Sequence, residues 1–273
     1  MINDIKKNMN KSIHKIKIAR AFGTASNSYD ISARLQRFSG KNLMRLLPQE
    51  SSIKSNKTVL DLGSGTGFFT DILAEGYATV IGLDLSKQML QFAKKSRSEN
   101  ITWLEADAHK MPLQNNSVDL IYSNLVIQWC DPLDVLLQEI LRILKPGGSF
   151  VFSTLTEGTL FELKSSWAQV DDEQHVINFK SEVQLQQLLN SSQSTLVENK
   201  CQDIVLEYEN VLHLARELKA LGANYVSSRH KGLAGKDKWF KMSESYKDFI
   251  EPNGVYPATY RVFSGKIVKK MNQ

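Results

Sequence analysis

The chain has no apolar run approaching the roughly 18–20 residues that cross a bilayer, so no membrane span is expected. It also lacks the apolar core of about 7–15 residues that a secretory leader places behind a basic start. Only two of its 273 residues are cysteine, Cys130 and Cys201. They make neither a disulfide framework nor a thiolate metal site, and a reducing cytoplasm is the simple expectation. The five histidines are scattered without ligand spacing, which predicts no metal. No internal repeat and no low-complexity linker divides the sequence. Most of the chain also lacks an excess of either charge. Residues 1–20 hold six cations against Asp4, which equals the whole chain's net charge of +5. The remainder therefore balances, which argues against a broad nucleic-acid-binding face.

What is present is a series of glycine-punctuated words. Val59-Leu60-Asp61-Leu62-Gly63-Ser64-Gly65-Thr66-Gly67 runs from an apolar segment through three alternating glycines into Phe68-Phe69-Thr70-Asp71, which reads as a strand, a tight loop and a helix start. Val80-Ile81-Gly82-Leu83-Asp84 is a second strand ending in an acid, and a carboxylate at that point can accept both hydroxyls of a ribose. Glu105-Ala106-Asp107-Ala108 and Lys145-Pro146-Gly147-Gly148 follow. The loop spacing is G-x-G-x-G. A pyrophosphate-binding loop wants its third glycine at position 68, which is Phe68, and this counts against the nicotinamide and flavin enzymes that share the unit.

Strand patterns fall at residues 58–62, 79–84, 101–106, 118–124 and 149–155, alternating with helices at 67–75, 87–96 and 132–144. Asp131-Pro132 offers an N-cap and a first-turn proline to the last of these. The alternation predicts an α/β fold, a doubly wound and mostly parallel sheet with its ligand beyond the strands' carboxyl ends. Residues 1–50 read as a helical segment closed by Pro48, and residues 51–57 as a polar loop. Ile2, Ile5, Met9, Ile13 and Ile16 recur at helical spacing, giving an amphipathic helix over the domain, with a frayed basic arm as another reading and a mitochondrial presequence disfavoured by lysine over arginine and by Asp4. The cofactor-binding core spans residues 51–156. Residues 157–273 form an acceptor-side half with helices at 159–170, 181–190 and 210–221 and strands at Cys201–Glu207 and Ala258–Val268. We expect one domain with a helical cap, an insertion at about 208–257.

The order of these words resembles the class I S-adenosylmethionine-dependent methyltransferases, whose sheet has seven strands finished by a late hairpin. The resemblance implies S-adenosylmethionine as cofactor. It implies that Gly63, Ser64, Gly65 and Gly67 pass close to the methionyl part and that Asp61 helps to orient its amine. Asp84 would take the ribose hydroxyls and Leu85 cover the adenine. Asp107 would accept from the adenine amino group beside the Ala108 amide, and the Asn124 backbone would hold the cofactor amine. Four further words are more specific: Ala21-Phe22-Gly23 through Tyr29-Asp30, Tyr122 through Cys130, Leu218 through Asn224, and Tyr256 through Gly265. Together they resemble the malonyl-acyl-carrier-protein O-methyltransferases of biotin synthesis. That implies methylation of the free carboxylate of a malonyl thioester on acyl carrier protein. The ester masks a charge whose burial costs several kcal/mol, so that elongation can build a pimeloyl chain.

A carboxylate is ionised at neutral pH and needs no general base, so no catalytic residue is assigned. Tyr29, Trp129 and Arg229 are the candidates for the acceptor site. Lys236, Lys238 and Lys241, beside Trp239 and Phe240, are candidates for docking an acidic carrier, as is the basic N-terminal segment. The alternatives are a methyltransferase acting on a quinone precursor or another small acid, and a non-catalytic assembly factor that keeps the fold.

Overall fold

The computed structural model describes residue 13 and residues 15–48, 55–190, 194–223 and 235–271. Three helices come first: α1 (residues 15–24), α2 (Ser26–Ser32) and α3 (Arg34–Met44). Strand–helix alternation follows, through β1 (Ser55–Leu62), α4 (Phe68–Gly76), β2 (Tyr77–Asp84), α5 (Lys87–Ser96), β3 (Thr102–Glu105), β4 (Val118–Asn124), α6 (Leu133–Ile143) and β5 (Leu144–Leu155). The last part comprises α7 (Phe161–Ala168), α8 (Glu182–Leu189), β6 (Ser194–Tyr208), α9 (Val211–Ala220), α10 (Lys236–Tyr246) and β7 (Tyr256–Lys269).

Seven strands make one sheet in the order β3-β2-β1-β4-β5-β7-β6. The first five are parallel, β7 runs antiparallel to β5, and β6 antiparallel to β7. The chain winds outward from β1 to β3, then returns to place β4 on the other side of β1. This reversal opens a crevice between the ends of β1 and β4, where α/β proteins bind their ligands.

Strand parity decides what faces the crevice's two sides. Leu60, Leu62, Ile121, Phe150 and Phe152 pack with α6 and α8, while Val59, Tyr122 and Val151 pack with Leu43 and Leu73 of α3 and α4. The period of two therefore turns Asp61 toward α4. A separate apolar cluster, including Trp167, Leu214, Met242 and Tyr246, ties α7, α9 and α10 to β7.

Several boundaries differ from expectation. β1 begins at Ser55, inside the expected polar loop. Lys145-Pro146-Gly147-Gly148 lies within β5, where the pairing with β4 shifts register between Val118 and Leu120, and Gly147 takes a φ of 77°. Pro132 is itself the N-cap of α6, with extended φ and ψ, so Asp131 does not cap the helix. β6 is 15 residues long, not seven, because it is an edge strand with exposed Glu198, Asn199 and Lys200 and shows no clean alternation. Helix α10 falls within the expected helical insertion at about 208–257, although no helix was placed at its own position. Its apolar residues Trp239, Met242 and Tyr246 bury one face against α7 and β7. Of the expected apolar face of the N-terminal helix, Ile2, Ile5 and Met9 lie outside the described residues, while Ile13 and Ile16 are 45% and 65% exposed and not buried. The inward face carries Lys15, Ile18, Ala19 and Phe22 instead.

Candidate functional site

The glycine loop leaves β1 at Leu62 and enters α4 at Phe68. Gly63, Gly65 and Gly67 all have positive φ, which a side chain rarely tolerates. They differ in what a Cβ would meet. At Gly63 it would strike Val126 at 2.4 Å, and at Gly67 the Trp103 ring at 2.4 Å, so these two glycines serve the protein's own packing. At Gly65 nothing lies within 4 Å. Only there would a side chain project into open cleft. Asp84, at the end of β2, braces this loop. Its Oδ2 accepts from the Gly65 amide at 2.9 Å and its Oδ1 from the Ser86 amide at 2.7 Å. Burial pushes its carboxyl above the usual range, against those amides.

The main cleft encloses about 850 Å³, its mouth included, and Asp84, Leu85, Ala106, Asp107 and Ala108 line it. Asp107 Oδ2 accepts from Lys15 Nζ at 2.7 Å, and Oδ1 from the His109 amide at 3.0 Å. His109 and Lys15 hold its carboxyl well below the usual range, so it stays an ionised acceptor. A carboxylate has about four acceptor positions, so capacity remains for a further donor. Cys130 also lines the cleft, but burial pushes its thiol up to about 12, which leaves it inert.

An inner cavity of about 460 Å³ adjoins the cleft through Gly63 and Gly65. Asp61 lines it, only 3% exposed, with Thr70 Oγ1 donating to its Oδ2 at 2.5 Å. Desolvation raises this carboxyl to about 7, against the stabilising hydroxyl of Thr70. The Asn124 side chain is tied to the protein at both ends. Its Oδ1 accepts from Ser153 Oγ at 2.7 Å, and its Nδ2 donates to the Gln36 carbonyl at 2.8 Å. Among the described residues, two buried side-chain polar atoms have no hydrogen-bond partner, Ser64 Oγ and Gln36 Oε1, and both residues line this inner cavity. Orphaned polar atoms are costly. Together with the open space at Gly65 and two facing carboxylates, they fit a ligand with an amino-acid end and a ribose, as S-adenosylmethionine has.

An outer cavity of about 1350 Å³ lies under α7, α9 and α10. Its walls are mainly apolar, with Leu160, Leu163, Val176, Phe179 and Leu214 among them, and Trp167 stacks on His175 with ring centres 3.7 Å apart. Tyr29 lines the cleft, the inner cavity and the outer cavity alike. Trp129 borders the cleft and the outer cavity and packs edge-on to Phe22 at 5.4 Å. Tyr29 owes its position to its neighbour. Asp30 accepts from Thr66 Oγ1 of the glycine loop at 2.6 Å and from the Arg97 guanidinium, which clamps α2 across the cleft. Burial, with the carboxylates of Asp84 and Asp30, pushes the Tyr29 phenol well above its ordinary value, so it remains a neutral donor.

The acceptor candidate Arg229 lies outside the described residues. Lys236, Lys238 and Lys241 sit on α10, away from the cleft. Lys238 is not free, since it pairs with Asp171 at 2.8 Å. The sequence reading missed Lys15, Gln36 and Thr70. Thr70 follows the glycine loop by three positions, one helical turn into α4, and that spacing was the available signal. Gln36 and Lys15 had none, because their helices reach the crevice only through tertiary packing.

Among known proteins, residues 60–152 match the model of the family described as "Methyltransferase domain". The chain is 34% identical over 262 residues to the malonyl-[acyl-carrier protein] O-methyltransferase of Pectobacterium atrosepticum, covering 96% of this chain and 99% of that one. It is 38% identical over 263 residues to the biotin biosynthesis bifunctional protein BioHC of Cellvibrio japonicus, covering 96% of this chain but 52% of that protein, so it spans about half of that relative. In fold it resembles the geranyl diphosphate C-methyltransferase of Streptomyces coelicolor, solved with S-adenosyl-L-homocysteine. The TM-score is 0.52 at 16% identity, over 86% of this chain and 77% of that one.

Proposed function

Because the chain belongs to the malonyl-[acyl-carrier protein] O-methyltransferase family, we propose that it methylates the free carboxylate of a malonyl thioester carried on acyl carrier protein. The supporting observation is the position of Tyr29, bordering both cofactor cavities and the apolar outer cavity. A methyl donor on one side and an acceptor on the other would meet there.

S-adenosylmethionine, when bound, supplies a methyl group already activated on a sulfonium. Asp84 would hold its ribose, Leu85 would cover the adenine, and Asp107 with the Ala108 amide would read the adenine edge. Gly65 would give the backbone room to approach, and Asp61, Ser64 and the Asn124 carbonyl would face the methionyl end. The malonyl carboxylate is ionised at neutral pH, so no residue has to remove a proton from it. Its oxygen bonds to the methyl carbon as the carbon–sulfur bond breaks, leaving the malonyl methyl ester and S-adenosylhomocysteine. The protein's task is alignment and exclusion of water. Tyr29 does the first by donating a hydrogen bond from a neutral phenol, which orients the carboxylate without neutralising it. Trp129 and the apolar walls do the second. The carrier docks on the exposed cations of α10, Lys236 and Lys241 beside the 63%-exposed Phe240, with Lys238 available on exchange of its Asp171 partner.

The test is transfer of a labelled methyl group to malonyl-carrier protein, with acetyl-carrier protein as control. Acetyl has no carboxylate to attack and should take no label. The malonyl reaction should slow as salt rises, since rim charges are screened over about 8 Å at physiological ionic strength. Equal labelling of both carriers, or of neither, overturns the acceptor assignment.

A further inference from the structure

The side-chain amide oxygen of Gln36, Oε1, is buried without a partner. Gln36 lies on α3, two residues into the helix, and lines both the inner cavity and the outer cavity. Its backbone is fixed by the sheet. The Gln36 carbonyl oxygen accepts from Asn124 Nδ2 at 2.8 Å, Asn124 Oδ1 accepts from Ser153 Oγ at 2.7 Å, and Ser39, one turn along α3, donates to Ser153 Oγ at 3.1 Å. Strands β4 and β5 thus pin the first turn of α3 at the end of the crevice. The side-chain atom so positioned, Oε1, is buried and has no partner. A pinned backbone leaves the side chain few ways to escape that burial, and a buried acceptor without a donor is costly.

The chemistry of the missing partner follows from what an amide oxygen can do. It accepts only, so the partner must carry an N–H or O–H. The malonyl carboxylate and the cofactor's own carboxylate are both ionised and carry none. The ribose hydroxyls belong to the cleft at Asp84. The group left to the inner cavity is the α-ammonium of the cofactor's methionyl end, which has three N–H donors. Asp61 lines the same cavity, so a cation there would find a carboxylate and an amide oxygen together. We propose that Gln36 Oε1 accepts a hydrogen bond from the cofactor's α-ammonium. Gln36 is then a positioning residue that sets where the cofactor's amino-acid end lies against the acceptor cavity that it also borders. The inference rests on S-adenosylmethionine as cofactor and not on the identity of the acceptor.

Calorimetry with two probes isolates the contact. S-adenosylhomocysteine carries the amino-acid end, and 5′-methylthioadenosine lacks it while keeping adenine and ribose. Gln36→Leu should weaken S-adenosylhomocysteine by about tenfold, the size of one hydrogen bond to a charged group, and leave 5′-methylthioadenosine unchanged. Gln36→Glu keeps an acceptor and adds a charge that suits an ammonium, so it should bind S-adenosylhomocysteine within about threefold of wild type by the same scale. If Gln36→Leu binds both probes as wild type does, the inference fails. It also fails if Gln36→Glu loses S-adenosylhomocysteine while keeping 5′-methylthioadenosine, because the buried atom would then be needed as a donor. Should Gln36→Leu bind neither probe, the Gln36→Glu result alone decides. A wild-type protein that binds neither would refute the cofactor assignment itself.

Discussion

Asp84→Ala removes one side chain with two duties, and they can be measured apart. The first is the proposed duty, to the ligand. A carboxylate accepting a ribose hydroxyl makes a charge-assisted bond worth about 1.5–3 kcal/mol, so its loss should weaken S-adenosylhomocysteine roughly ten- to hundredfold. The second duty is to the protein, because the same carboxylate receives the Gly65 amide at 2.9 Å and the Ser86 amide at 2.7 Å. Gly65 borders open cleft and water can replace its acceptor. Ser86 is 3% exposed, and its amide would be left without one. A buried orphan costs about 1–3 kcal/mol, which for a chain of this size lowers Tm by roughly 2–10 °C. Asp84→Asn keeps a carbonyl for one of the two amides. It should recover part of the thermal loss while still binding ligand weakly. Calorimetry with S-adenosylhomocysteine and 5′-methylthioadenosine makes the comparison, and both should weaken alike, since both carry the ribose. A folded Asp84→Ala protein that binds both as wild type does would place the ribose elsewhere.

Two other outcomes follow from the same geometry. Tyr29→Phe keeps the ring and its edge contact with Phe22, with centroids 6.5 Å apart, and should leave S-adenosylhomocysteine affinity intact while kcat/KM for the malonyl thioester falls about tenfold or more; an unchanged kcat/KM would remove the hydroxyl from the reaction. Asp61, with its carboxyl at about 7, should ionise as an ammonium enters beside it, so binding should tighten as pH rises through 7 and release a proton near that pH. The measured heat would then depend on the buffer, and Asp61→Asn should abolish that dependence. For the ligand-free protein the sign is opposite: a raised acid contributes stability below the usual carboxylate value of about 4 and loses it as pH rises through 7. Buffer-independent heats at pH 7 would show that Asp61 does not change charge on binding.

The sheet and the glycine loop of this protein were legible because their signals are local. A strand, an alternating glycine loop and a helix start are neighbours in sequence, and the acid that ends β2 sits a fixed distance beyond them. Asp61 was marked in the sequence only by the resemblance, and the parity that sets it apart from Leu60 and Leu62 came with the packed sheet. The alternation of strands and helices specified the parallel sheet, and hence the crevice where its order reverses. The sequence could not say which face of the N-terminal helices turns inward. Ile13 and Ile16 had the better apolar spacing, yet Lys15, Ile18 and Phe22 meet the cleft, because the partner surface is built by residues far along the chain. The same holds for α10, whose charged exposed face hid the spacing of Trp239, Met242 and Tyr246. It holds most for Tyr29 and Gln36. Nothing near Gln36 in sequence marks it, and Tyr29 is marked only by the resemblance of the Ala21–Asp30 word. Their meaning comes from Asp30 reaching Thr66 and Arg97, and from Asn124 reaching Gln36, contacts that span 36, 67 and 88 residues. Local hydrogen bonding and periodicity write the glycine loop into the sequence, whereas the proposed junction between cofactor and acceptor exists only once distant helices are packed onto the sheet.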